Sequence, residues 1–161
     1  MDASDFEEEG FFAAIFTSGA RALLIGRRAM VALGAPVLTA DYDFWIHIDD
    51  IERFNAAAAP FGLEPNCSAE GARQRGRYAL ENDERVDVLV ARSTTTVESM
   101  TVRFEDVWRR RQSVAYVSGQ SLELPSLDDL IATKLIAARA KDLIDIDFLR
   151  ALRASRSEIN P

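Results

Sequence analysis

Apolar and polar residues alternate with period two over residues 41–48 (DYDFWIHI). In an extended chain this puts Tyr42, Phe44, Ile46 and Ile48 on one face and Asp41, Asp43, Trp45 and His47 on the other. Shorter strand signals flank it. ALLIG (22–26) reads as a buried strand ending in glycine, and RQRGRYAL (73–80) with RVDVLVA (85–91), separated by the polar ENDE, reads as a β-hairpin. SVAYV (113–117) and SLEL (121–124), split by Gly119, are strand-like as well. Helical composition covers residues 4–17, with Ser4 or Asp5 as the cap and acidic residues in the first turn, and residues 27–34, closed by Gly34. It recurs over 50–59, ended by Pro60 and Gly62, and over 104–111. Two late helices are predicted. One spans 125–139, where Ser126 caps and Asp129 completes a capping box, and the other is an amphipathic helix over 141–153. The order predicts an α/β (α+β) fold, a mixed sheet flanked by helices with further helices closing the chain.

Nothing divides the chain. It has no repeat, no low-complexity tract and no Pro/Gly linker, so residues 1–161 are expected to form a single domain. No apolar run nears the roughly 20 residues a membrane span requires. The acidic start MDASDFEEEG is unlike a secretory signal, and one cysteine, Cys67, permits neither an internal disulfide nor a multi-cysteine zinc site. A cytoplasmic location is the expectation. A net charge of −7 argues against nonspecific binding of nucleic acid over the whole surface. The arginine clusters at 73, 75 and 77 and at 109–111 are expected to be solvated faces, and such patches remain compatible with a phosphate-bearing substrate.

The chemistry sits at the aspartates. Asp41 and Asp43 share a strand face about 6–7 Å apart, where like charges repel unless a cation lies between them. D-x-D at the head of an apolar strand therefore suits magnesium, and two solvated charges at a strand end would satisfy the same pattern. Asp87 interrupts the apolar run Val86-Asp87-Val88-Leu89-Val90, where an unpaired buried carboxylate is costly. If that strand adjoins 41–48, three carboxylates converge as in two-metal phosphoryl and nucleotidyl transfer. An ion pair of Asp87 with Arg85 or Arg77 is the alternative. Gly26, between a strand and a helix, could offer backbone N–H groups to phosphate. No GxGxxG and no GxxxxGK[ST] is present.

The blocks LLIGRRAMVALG (23–34), TADYDFWI (39–46), RVDVLV (85–90) and LPSLDDLIATKLIAARAKDLIDIDFL (124–149) resemble the small bacterial nucleotidyltransferases with a DNA-polymerase-β-type core. Many of these accompany toxin–antitoxin or abortive-infection loci. The likeness covers roughly residues 20–150. It implies a nucleotidyltransferase-type sheet and a transfer of NMP from an NTP to a hydroxyl on a small molecule, RNA or protein. It also implies magnesium or manganese as cofactor and a partner protein from a toxin–antitoxin pair. By position, Asp41 and Asp43 would bind both ions, and Asp87 would bind the catalytic ion and help activate the acceptor hydroxyl. Gly26 would lie against the nucleotide phosphates, with Lys134 and Lys141 as further phosphate or substrate contacts. The chain departs from the pattern at Arg27, where the family has a second Gly or a Ser, and at Val37 and Leu38, where a basic residue is often found. Arg27 would either obstruct the phosphates or supply them a cation.

His47 is expected to be structural, Cys67 an ordinary thiol, and Trp45 and Trp108 packing residues, while the alternative for Lys134 is a lysine that snorkels to water. Two other functions compete with the metal-dependent enzyme. One is a nucleotidyltransferase-like binding or regulatory module without catalysis, which Arg27 favours. The other is a D-x-D glycosyltransferase, whose usual domain is considerably longer than this chain.

Overall fold

A computed structural model of the chain describes residues 6–159. Its centre is a five-stranded sheet in the order β1-β2-β5-β4-β3, built from β1 (Ala22–Ile25), β2 (Tyr42–Ile46), β3 (Glu64–Pro65), β4 (Arg77–Glu81) and β5 (Arg85–Leu89). β2 runs antiparallel to β1 and parallel to β5, and β4 is antiparallel to both β5 and β3. The sheet is therefore mixed, as predicted, with the aspartate-bearing strands β2 and β5 side by side in its middle.

Both faces of β2 are covered, which explains why its polar-looking face is not a solvent face. Tyr42, Phe44 and Ile46 pack into the main core with Phe11, Phe12 and Ile15 of α1 (Glu8–Thr17) and Phe54 of α3 (Ile51–Ala58). Phe11 and Phe44 meet edge to face, as do Phe44 and Phe54, in the geometry aromatic quadrupoles favour. On the opposite face Trp45 and Leu23 are fully buried against Phe104 and Val107 of α5 (Phe104–Arg109) and Val102 of β7 (Thr101–Arg103). β7 pairs with β6 (Ser93–Thr95), and a second hairpin of β8 (Gln112–Ala115) and β9 (Ser121–Leu124) packs along β1.

Several boundaries differ from the sequence-based expectation. Residues 73–75 belong not to a strand but to α4 (Ala69–Arg75), which Ser68 caps through Gly71 N–H and which Gly76 ends in the left-handed conformation at φ 79°. The hairpin strand accordingly starts at Arg77. The helix capped by Ser126 forms as expected, its Oγ accepting from Asp129 N–H, but α6 (Leu127–Lys134) stops at Lys134 and not at residue 139. A turn through Ala138, at φ 50°, reverses the chain into α7 (Ala140–Ile159), which is longer than the 141–153 predicted. α1 starts at Glu8, and the proposed caps Ser4 and Asp5 lie outside the described residues. α2 (Gly26–Ala32) follows β1 directly, with Gly26 as its first residue. Among the described residues no helix is long and apolar enough to cross a membrane.

Candidate active site

The parallel pairing of β2 with β5 sets Asp43 directly opposite Asp87. On the other side of β2 the antiparallel register sets Ile25 opposite Asp43, so the chain turns into α2 at the level of the carboxylate. Gly26 makes that turn at φ 69°. A Cβ at this position would stand 2.6 Å from Asp43 Oδ2, so a side chain here would strain the backbone and push the carboxylate aside. Gly26 is thus the residue that lets β1 close against the second aspartate of D-x-D. Asp41, just ahead of β2, lines a cleft of about 310 Å³ together with Asp43 and Asp87, and Ile25, Gly26 and Arg27 contribute to the same cleft.

Clustering shows in the titration of Asp43. Burial, then the charges of Asp87 and Asp41, push its pKa up to about 6, against the opposing pull of Lys134 and Lys141. Asp87 is half exposed and accepts from Arg85 Nε at 3.0 Å, so one of its oxygens has the arginine partner that the sequence left as the alternative. The two readings coexist, because Asp87 also lines the cleft with Asp43. An ion pair this exposed contributes little. Arg85→Ala should leave the melting temperature close to that of the parent, a large drop being the result that would make the pair structural.

The closing helices add a cationic wall to the same cleft: Lys134 at the end of α6, Arg139 in the turn, and Lys141 at the start of α7. Lys134 does not take the alternative of snorkelling to water; its side chain is 9% exposed. Its Nζ donates to Asp145 at 2.9 Å, with Asp142 3.9 Å away. Asp145 also accepts from Arg27 Nε and Nη2, at 3.1 and 3.3 Å, so one buried carboxylate binds a cation from α2 and another from α6. Asp142 accepts from both the backbone N–H and Nε of Arg139, each at 3.0 Å. Burial works to raise the pKa of both aspartates, and the hydrogen bonds from Arg139 to one and from Lys134 and Arg27 to the other outweigh it, holding both below the ordinary carboxylate value. Arg27 therefore points into an ion cluster at the cleft edge, while Lys141 is exposed at its mouth.

Asp142 and Asp145, which organise this wall, were not singled out in the sequence. Their signal lies in the phase of α7: Asp142, Asp145, Ile146 and Leu149 follow the i, i+3, i+4, i+7 spacing of one helix face, and all four are buried. Carboxylates at core positions of an amphipathic helix announce buried partners.

The remaining candidates are structural. His47 is buried, its Nδ1 accepting from Asp49 N–H and its Nε2 bonded to Glu105 at 2.9 Å. Trp45 donates from Nε1 to the Ala91 carbonyl, and Trp108 stacks on Phe104 with the Arg111 guanidinium over its ring. Cys67 packs against the core. Arg73, Arg109 and Arg110 pair with Glu52, Asp106 and Asp129.

No protein-family model matches the chain, and no curated protein matches it in sequence. Solved structures do match in shape. A proposed nucleotidyltransferase from Thermotoga maritima, TM1012, aligns over 93% of this chain and 90% of its own, with a TM-score of 0.57 at 12% identity. The antibiotic-resistance factor ANT(2'')-Ia aligns over 94% and 91%, at 0.53 and 14%. The lincosamide antibiotic adenylyltransferase LnuA, solved with lincomycin bound, aligns over 89% and 96%, at 0.61 and 13%. The mixed sheet with its flanking helices is thus a fold that this chain shares with these structures.

Proposed function

We propose that the chain is a metal-dependent nucleotidyltransferase that moves NMP from an NTP to a hydroxyl acceptor, a small molecule, RNA or a partner protein such as one from a toxin–antitoxin pair. The observation that carries this reading is the Asp43–Asp87 pair in register across parallel strands, closed over by a glycine whose Cβ would crowd Asp43, in a cleft that cations also line.

The donor chemistry suits a hard divalent cation. All donors are carboxylate oxygens, Asp43 carries a like-charge burden from Asp41 and Asp87 that Lys134 and Lys141 only partly offset, and Gly26 leaves its Oδ2 uncovered by any Cβ. Among the described residues no three potential ligands are yet drawn within metal-holding distance, and Asp87 is shared with Arg85. Magnesium or manganese held by Asp41, Asp43 and Asp87 would neutralise charge on the triphosphate and favour ionisation of the attacking hydroxyl. Lys134, Lys141 and Arg27 would hold the β- and γ-phosphates, with Gly26 against the chain of phosphates. The acceptor oxygen bonds to the α-phosphorus, the bond from the α-phosphorus to the bridging oxygen breaks, pyrophosphate leaves, and Asp87 takes the hydroxyl proton. Antibiotic acceptors among the structural neighbours make small hydroxylated molecules the first acceptors to screen.

Thermal melts test the metal. At a concentration 100-fold above its Kd, Mg²⁺ or Mn²⁺ should stabilise the protein by about 2.7 kcal/mol, a rise in melting temperature of roughly 5–11 °C at this chain length. Asp43→Asn should gain little. Equal responses in parent and variant would show that Asp43 is not a ligand and would overturn the proposal.

Arg27 is the one feature that favours a module that binds without catalysis, because it occupies the position next to Gly26 where the family has a small residue. Its tie to Asp145 draws the guanidinium toward the cation wall, which supports a phosphate contact. Arg27→Ser should therefore weaken binding of Mg²⁺–ATP by calorimetry. Tighter binding in the variant would identify Arg27 as an obstruction and favour the silent module.

A further inference from the structure

We propose that Arg28 is the positioning residue for the first carboxylate of the metal site, clamping the segment 39–41 onto α2 and so fixing where Asp41 stands beside Asp43. Residues 35–41 reach β2 without regular secondary structure, and Leu38 at their middle is 96% exposed. A carboxylate at the end of such a segment, next to two others, would swing away from them under like-charge repulsion. Arg28 opposes that swing from four directions. Its Nη2 donates to the Thr39 carbonyl at 2.9 Å and its Nε to the Asp41 carbonyl at 3.4 Å. Its guanidinium carbon lies 4.2 Å from the centre of the Tyr42 ring, the residue between the two aspartates. Its Nη1 pairs with Glu8 of α1 at 3.4 Å, and Glu8 in turn accepts from the Tyr116 hydroxyl. The side chain is 16% exposed, so these contacts are made largely out of bulk water. Arg28 thus ties α1 and α2 to the backbone that carries Asp41, and the planar fork is needed for two diverging carbonyls, which a lysine ammonium cannot span in the same way.

The inference rests on the metal-site reading, and its test separates the two. Mn²⁺ affinity would be measured from the free-ion EPR signal for the parent, Arg28→Lys, Asp41→Asn and the double variant, with melts in EDTA to confirm folding. Lysine keeps the charge near Glu8 and Tyr42 and loses the fork. Arg28→Lys should weaken Mn²⁺ binding about 10- to 100-fold, as loss of an outer-shell partner typically does. In the Asp41→Asn background the same change should cost no more than about twofold, because Arg28 acts through Asp41. Unchanged affinity in the single variant, or an equal loss with and without Asp41, would overturn the role of Arg28 and leave the metal site standing. A parent that binds no Mn²⁺, or binds it as well after Asp43→Asn, would overturn the metal site and this inference with it.

Discussion

On the proposed mechanism, Asp43→Asn is expected to lower NMP transfer by about three orders of magnitude, because several kcal/mol of metal-derived transition-state stabilisation would pass through Asp43. The same change should make the metal-free protein more stable at neutral pH. The folded state holds the Asp43 pKa up to about 6, so it favours the neutral acid more than the unfolded chain does. Keeping Asp43 ionised therefore carries a folding cost that is fully present above about pH 6 and disappears as the pH falls toward the ordinary carboxylate value. At pH 7–8 in EDTA, Asp43→Asn should exceed the parent by about 2 kcal/mol, allowing for the part of the carboxylate that stays solvated. Near pH 4 the two should converge. Urea titrations at the two pH values, with transfer assays on the same preparations, check all three outcomes. A variant less stable than the parent at every pH would make Asp43 a structural residue, with loss of a buried hydrogen-bond partner as its signature.

The second large effect is on the cationic wall. Asp145→Ala should destabilise the protein by about 3–5 kcal/mol, the cost of leaving buried charge uncompensated, and lower the melting temperature by roughly 6–20 °C. Lys134 loses its closest partner and Arg27 loses both of its hydrogen bonds to carboxylate. Asp142, 3.9 Å from Lys134, softens the loss and places it toward the lower end of that range. Lys134→Met combined with Asp145→Ala should recover part of the stability, since an apolar side chain can lie where an unpaired ammonium cannot. Differential scanning calorimetry of the single and double variants separates these cases. An Asp145→Ala protein that melts with the parent would mean that water already compensates the two cations.

The readable parts of the fold were those where a local pattern and its tertiary use agree. Residues 42–46 alternate as a strand and are one, and Asp87 was conspicuous because a carboxylate stood among valines, as it does in β5. Ser126 and Asp129 form the cap their spacing implied. The pairing of β2 with β5 could only be conditional, because nothing local specifies which strands become neighbours. Misreadings arose where one residue decided between two states. Residues 73–75 and 77–80 look continuous until Gly76 turns left-handed, and residues 125–139 look like one helix until the chain reverses at Ala138. That reversal is also why the ion cluster was hidden. It folds α7 back on α6, so that Lys134 meets Asp145 across a turn that a continuous helix would not contain.

The register of β2 on β5 also restricts how genes for such a chain can vary in length. Asp43 and Asp87 face the same cleft because the intervening residues return β5 beside β2 in one phase of the pleat. Inserting a single residue between Arg85 and Val86 would turn the carboxylate to the opposite face and send Val86 and Val88 out of the core. Insertions between the two aspartates should therefore accumulate in the turn at 82–84 or around Gly62 and be purged from the strands. Length polymorphism among descendants of this gene would mark the places where the site can be lengthened without being dismantled.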